Sequence, residues 1–171
     1  MNYVFNKEKI EAVLSNFYKS TGIASALYDA RGSLISQSHK FTEYCQMIRS
    51  NKCCVKNCDL SNLAHIKEVE ENRKICRYTC HAGLMETIMP IIYDGMLIAY
   101  LQIGQFSDRE GVYSSGEEVA ATASKYGFDT RALSLLYEGV PKISKDSLDA
   151  LYSLMEIIIK YFFIEGMISY N

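Results

Sequence analysis

The residues of this chain with the clearest chemical potential are six cysteines, all between positions 45 and 80: Cys45, Cys53, Cys54, Cys58, Cys76 and Cys80. An even number of cysteines is compatible with disulfides in a secreted protein, whereas thiols stay reduced in the cytoplasm. Reduced thiols serve as metal ligands, as redox groups or as small apolar core residues. No C-x-x-C pair occurs. Spacing alone therefore leaves all of these roles open.

The sequence carries no arrangement typical of an enzyme. A catalytic cysteine needs a base within hydrogen-bond reach of its sulfur. Cys80 and His81 are neighbours in the chain, and neighbouring side chains on a strand point to opposite faces. His65 belongs to a polar helix face and His39 to a loop-like stretch, and no G-x-S-x-G, H-E-x-x-H or glycine-rich phosphate loop is present. We expect a protein that is not an enzyme.

Two strand-like segments place polar groups at the ends of apolar faces. The segment 74–80 alternates, and its more apolar face carries Cys76, Tyr78 and Cys80. From Leu97 to Gln105 every second residue is apolar until the last, so an amide ends that face. An apolar cavity with a few convergent polar groups is what a small-molecule site requires. We expect Tyr78, Gln105, Cys80 and His81 to supply the polar groups of such a cavity. The alternative is that Gln105 is simply half-exposed at the end of its strand.

The elements that position these residues follow from apolar periodicity and turn signals. Helices are predicted near 7–20, 41–50, 57–72, 116–125, 129–137 and from 145 to about 168, with Asp129 as a cap and Ser144 before the last start. The first helix has an apolar stripe of Ile10, Val13, Leu14 and Phe17. Strands are predicted at 23–28, 34–37, 74–80, 87–93 and 96–106, the last two turning at Asp94-Gly95. Hairpin-connected strands among helices indicate an α+β domain with a five-stranded antiparallel sheet. This order of elements is similar to that of PAS- and GAF-like sensor folds.

Length and charge narrow the classes of function. The chain has 171 residues, a formal net charge of −2 and a pI of about 5.9, so we expect one domain over 1–171 and no direct binding of nucleic acid. The first residues lack a basic region followed by an apolar run, so we expect a cytoplasmic protein.

The last helix is apolar over nearly its whole circumference. Four ionisable residues argue against a membrane span: Asp149, Glu156, Lys160 and Glu165. One apolar stripe has heptad-like spacing and consists of Leu148, Tyr152, Met155, Ile159 and Phe162. A second stripe consists of Leu151, Leu154, Ile158 and Tyr161. We expect one stripe to cover the sheet and the heptad-like one, with the first helix beside it, to form a homodimer.

Several strings resemble the pattern of PocR-type sensory domains. The most specific is Tyr78-Thr79-Cys80-His81-Ala82-Gly83-Leu84, and the others, in order, are Glu43–Ser50, Cys58-Asp59, Pro90–Ile92 and Ile103–Gln105. The similarity extends from about Ile10 to Tyr161. It implies a PAS-like domain that binds a small organic ligand such as a diol, ahead of an AraC-type regulator or a histidine kinase. Neither output is recognisable here, so we expect a sensory piece of a longer regulator of unknown output.

The strand patterns and the resemblance together give the candidate site residues. For the ligand they are Tyr78, Cys80, His81, Met89 and Gln105. Three cysteines match the cysteine positions of the family, and with the adjacent histidine they make a candidate site for a zinc-like metal ion: Cys45, Cys58, Cys80 and His81. The alternative function is therefore a cysteine-based metal or redox sensor.

Overall fold

The computed structural model describes residues 3–38, 41–108 and 116–170, and His39 lies outside these ranges. The helices in them are α1 (Lys7–Thr21), α2 (Glu43–Arg49), α3 (Lys52–Asn72), α4 (Gly116–Tyr126), α5 (Thr130–Glu138) and α6 (Lys145–Ile164). The strands are β1 (Tyr3–Phe5), β2 (Ala24–Asp29), β3 (Leu34–Gln37), β4 (Cys76–Thr79), β5 (Met85–Tyr93), β6 (Met96–Asp108), β7 (Lys142–Ile143) and β8 (Ile168–Tyr170).

The main sheet is antiparallel and has the order β3-β2-β6-β5-β4, which confirms the predicted α+β class with a long C-terminal helix. Two features differ from the prediction. Strand β7 extends the sheet by pairing in parallel with β6, and β1 pairs with β8 in a separate two-stranded sheet. Strands of two or three residues contain too little alternation for sequence periodicity to reveal them.

Side-chain caps decide where the helices begin. Ser144 and Asp129 cap α6 and α5, as the sequence predicts. Helix α3 starts earlier than predicted because the Asn51 side chain accepts a hydrogen bond from the backbone N–H of Cys53. As a result three of the six cysteines lie on α3: Cys53, Cys54 and Cys58.

Helices α1 and α6 cover one face of the main sheet. The predicted α1 stripe is buried there, through Ile10, Leu14 and Phe17. The same core takes up most of the heptad-like stripe of α6, namely Leu148, Tyr152, Met155 and Phe162, with Ile159 packed against it. The prediction that this stripe forms a dimer seam is therefore wrong. The apolar sheet face beneath α6 buries it within one chain.

The opposite face of the sheet is covered by α2 and α3. Near the C-terminal half of α3 the packing is apolar, with Val69 against Cys76, Tyr78, Ile88 and Tyr100. Towards the N-terminal end of α3 the sheet residues become polar, and a cavity opens between the layers. None of the helices within the described residues is both long and apolar enough to cross a bilayer.

Candidate functional site

The candidate site is a cavity of about 180 Å³ between the sheet and the helices α2 and α3. Its floor includes Glu86 from β5 and Gln102 from β6. Arg49 from α2, together with Cys58 and Asn62 from α3, contributes to the opposite wall. The cavity thus combines small apolar residues of the sheet with a few converging polar groups, as small-molecule sites do.

Glu86 is the most unusual group of the cavity. Its carboxyl group lies deep in the protein and keeps part of its surface exposed only because it borders the cavity. Burial raises the pKa of Glu86 to about 8, although hydrogen bonds from Gln102 and from the backbone of Gln105 oppose the shift. A side chain at position 104 would overlap this carboxyl group, so Gly104 leaves room for the position that Glu86 takes. At neutral pH Glu86 is mostly an uncharged acid that can donate and accept hydrogen bonds.

A polar network extends from Glu86 along the cavity wall. The Gln102 amide nitrogen lies 3.2 Å from Glu86 Oε2 and 3.4 Å from Asn62 Oδ1. The Tyr78 hydroxyl donates to Asn62 Oδ1 at 2.8 Å. Tyr78 therefore does not border the cavity itself but orients Asn62, which does. These contacts tie α3 to the sheet through neutral groups.

Gln105 reaches the cavity by a route that strand alternation does not predict. Alternation places it on the face of Leu101 and Ile103, which is packed under α1 and α6. A bulge opposite Met85 and Glu86 instead gives Gln105 a φ of 64° and turns its side chain to the cavity. Its Oε1 accepts the backbone N–H of Thr42, the N-cap of α2, at 2.7 Å. Gln105 therefore also holds the start of α2.

The other expected ligand residues occupy different places. Cys80 borders the cavity. His81 lies behind it, with Nε2 3.1 Å from the Cys58 sulfur. Met89 is not brought to the cavity, because it lies three residues beyond Glu86 on β5 and its side chain is buried in the core under α1 and α6.

The cavity is rich in thiols. Cys45, Cys58 and Cys80 all border it, and all six cysteines are free. Burial raises the pKa of Cys58 and that of Cys80, the latter to about 12, so these thiols are protonated at neutral pH. With His81 they were the expected metal ligands. Across the described residues, however, the set with ligand atoms within 4.8 Å of one another is a different one, His65, Glu68 and Cys76.

Sequence reasoning missed Glu86, Gln102 and Asn62. The predicted strand began at Thr87, whereas β5 begins at Met85, so Glu86 was left outside the sheet. The available signal was a polar residue inside an apolar strand, since Gln102 follows Leu101 and precedes Ile103. Asn62 lies on a polar helix whose buried face could not be assigned from its periodicity.

Two comparisons with known proteins indicate a regulatory family. The regulatory protein PocR of Salmonella typhimurium is 30% identical over 100 residues, which are 58% of this chain and 33% of that protein. The chain thus aligns with about a third of that relative's length. A type II free methionine-R-sulfoxide reductase from Thermoplasma acidophilum matches 81% of this chain and 96% of its own, at 14% identity and a TM-score of 0.35, too low to indicate a shared activity. A family model described as "Sensory domain found in PocR" matches residues 3–167. The chain therefore belongs to the family of sensory domains found in PocR.

Proposed function

We propose that this domain senses a small uncharged organic molecule with hydroxyl groups, such as a diol, which binds in the cavity between the sheet and α2 and α3. The observation that carries the proposal is the neutral hydrogen-bonding network of Glu86, Gln102 and Asn62 at the cavity wall. These groups both donate and accept hydrogen bonds, and each ligand hydroxyl also does both.

The charges around the cavity favour a neutral ligand. An anionic ligand would lose its hydration beside Glu86, and the neutral carboxyl group would supply no positive charge to compensate. Arg49, the cation that borders the cavity, lies 3.8 Å from Asp59, so its charge is already partly balanced. The cavity therefore offers hydrogen bonds but no unbalanced charge that would attract a charged ligand.

A PAS-like mode of signalling is supported by the strand order β3-β2-β6-β5-β4 and by helices over the binding face. A ligand in contact with Asn62 and Gln105 would favour one position of α3 and α2, and so shift the population of helix arrangements. The domain would act without catalysis, in the cytoplasm, as the sensory part of a longer transcription regulator or histidine kinase. Nucleic-acid binding would belong to the output part.

The expected result of a ligand screen is a higher melting temperature with diols or glycerol than with short carboxylic acids. Replacing Gln102 by leucine should weaken binding of the best diol by about tenfold or more, because a buried hydrogen bond is lost. Calorimetric titration measures the affinity. The matched control is Gln46→Leu, an exposed glutamine of α2 outside the cavity.

Stronger binding of short acids than of diols would contradict the proposed ligand class. No shift with any compound, together with no small molecule released from the denatured protein in mass spectrometry, would contradict the proposed function itself.

We further propose a homodimer through α6, with a different stripe from the one that the sequence indicated. Large apolar side chains remain exposed along the outer face of this helix: Leu154, Ile157, Tyr161 and Ile164. Because they are partly buried already, covering the rest of each is worth at most roughly 1.5–3 kcal/mol. Their spacing of three and four residues forms one continuous strip, which a second copy of the same helix can cover.

Light scattering tests the dimer. The unmodified protein should have the mass of two chains at micromolar concentration, and Ile157→Glu should be a folded monomer. Leu135→Glu, an exposed residue of α5, is the control and should stay dimeric. A monomeric unmodified protein would show that the α6 strip has no self-association role.

The alternative function is a cysteine-based metal or redox sensor, favoured by three thiols around one cavity and by the contact of Cys58 with His81. The geometry argues for the ligand sensor, because within the described residues the side chains with clustered ligand atoms are not these cavity thiols. Elemental analysis of untagged protein and titration of free thiols distinguish the two. Metal lost specifically in Cys58→Ser would favour the alternative.

A further inference from the structure

A second cluster of chemically capable side chains lies away from the cavity, where α3 packs against the edge strand β4. It consists of His65 and Glu68 on the helix and Cys76 on the strand, with ligand atoms all within 4.8 Å of one another. None of the three side chains borders the cavity. The cluster therefore lies outside the proposed ligand site, with Tyr78 between the two.

The local structure brings these residues together for simple reasons. His65 and Glu68 are three positions apart on α3 and so project from the same side of the helix. Cys76 alternates with exposed Arg77 on β4, so its side chain faces α3. The Cys76 sulfur donates to Glu68 Oε2 at 3.3 Å, which shows that the two elements meet at this point.

The imidazole of His65 is held in a defined orientation. Its Nδ1 lies 2.7 Å from the backbone carbonyl oxygen of Ser61, and a carbonyl can only accept, so Nδ1 carries the proton. The ring also stacks on Tyr78, with centroids 3.7 Å apart and an angle of 7° between the planes. The lone pair of Nε2 is thereby left available as a ligand. A backbone carbonyl that fixes the tautomer is the usual outer contact of metal-binding histidines.

We propose that His65, Glu68 and Cys76 form a binding site for a zinc-class divalent cation. One nitrogen, one oxygen and one sulfur ligand suit this borderline metal, whereas magnesium and calcium take oxygen ligands. Three protein ligands leave the fourth tetrahedral position to water. Glu68 is exposed, so the cation has direct access from solvent. When the cation binds, it replaces the thiol proton of Cys76, and this proton is released to solvent. The bound cation then links α3 to β4.

Cobalt(II) is the probe, because its thiolate complexes absorb in the near ultraviolet and zinc competes for the same ligands. Titration of untagged, reduced protein should produce this absorption with about one equivalent of cobalt, and zinc should abolish it. Cys76→Ser should lose the thiolate band. His65→Gln and Glu68→Gln should each weaken cobalt binding by about tenfold or more.

Matched controls separate this site from the other thiols. Cys53→Ser removes an exposed thiol of α3, Cys58→Ser removes a cavity thiol, and Glu71→Gln removes an exposed acid of the same helix. All three should keep the band and the affinity. Circular dichroism without metal establishes that each variant is folded. The proposal would be overturned if the cobalt–thiolate band were absent, or if it disappeared in Cys58→Ser and persisted in Cys76→Ser. Titration of Cys76→Ser with a diol tests the cavity separately.

Discussion

Replacing Met155 by glutamate is expected to unfold the domain. Met155 on α6 is 0% exposed and belongs to the core between α1, α6 and the sheet. The substitution removes the apolar packing of methionine and buries a carboxyl group among apolar side chains, where no hydrogen-bond partner is in place. We expect a loss of more than about 4 kcal/mol, a large part of the stability of a domain of this size.

Urea unfolding followed by far-ultraviolet circular dichroism measures this effect. Ile157→Glu is the matched control, since it introduces the same residue two positions further along the helix, at a side chain that is 62% exposed. That variant should keep a native spectrum without urea and unfold in a single cooperative transition. A Met155→Glu protein with a native spectrum and an ordinary midpoint would show that the heptad-like stripe is not in the core.

Glu86 is expected to make the domain less stable as the pH rises from about 4.5 to about 8. Burial raises the pKa of Glu86 in the folded state to about 8 from 4.5, so in this window the folded protein holds a proton that the unfolded chain has released. The stabilising contribution is complete below the lower value and is lost as the pH passes through the higher one. The limiting slope is about 1.4 kcal/mol per pH unit, and contact of Glu86 with the cavity narrows the pH window rather than the slope.

The measurement is the free energy of unfolding against pH for the unmodified protein and for Glu86→Gln. Burial lowers the pKa of His81, which makes stability rise with pH below about 6.5, so the difference between the two proteins isolates Glu86. Glu11→Gln, an exposed acid of α1, is the control. The advantage of the glutamine variant should grow with pH up to about 8. A difference that does not change with pH would contradict a neutral Glu86.

Local patterns allowed much of the fold to be predicted. The stripe of α1, the caps Asp129 and Ser144, and the turn at Asp94-Gly95 lie within a few residues of the elements they define. Such signals need no distant partner, because helix periodicity, capping and turn geometry are local. The strings around Cys80 likewise identified the family, which the match over residues 3–167 confirms.

Most of the candidate site was decided by contacts between distant segments. Gln105 faces the cavity only because a bulge against β5 interrupts the alternation, and Glu86 is neutral only because α2 and α3 enclose it. The contact of Cys58 with His81 joins a helix to the turn that follows β4.

The sequence by itself therefore determined the order of the helices and of the five longer strands, the α+β class and the family. The tertiary structure alone decided which stripe of α6 is buried and which stripe is exposed. It also decided which polar side chains share a cavity and that His65 meets Cys76. The physical reason is that periodicity shows only that one face of an element is apolar. Which surface covers that face depends on how the helices and strands pack against one another.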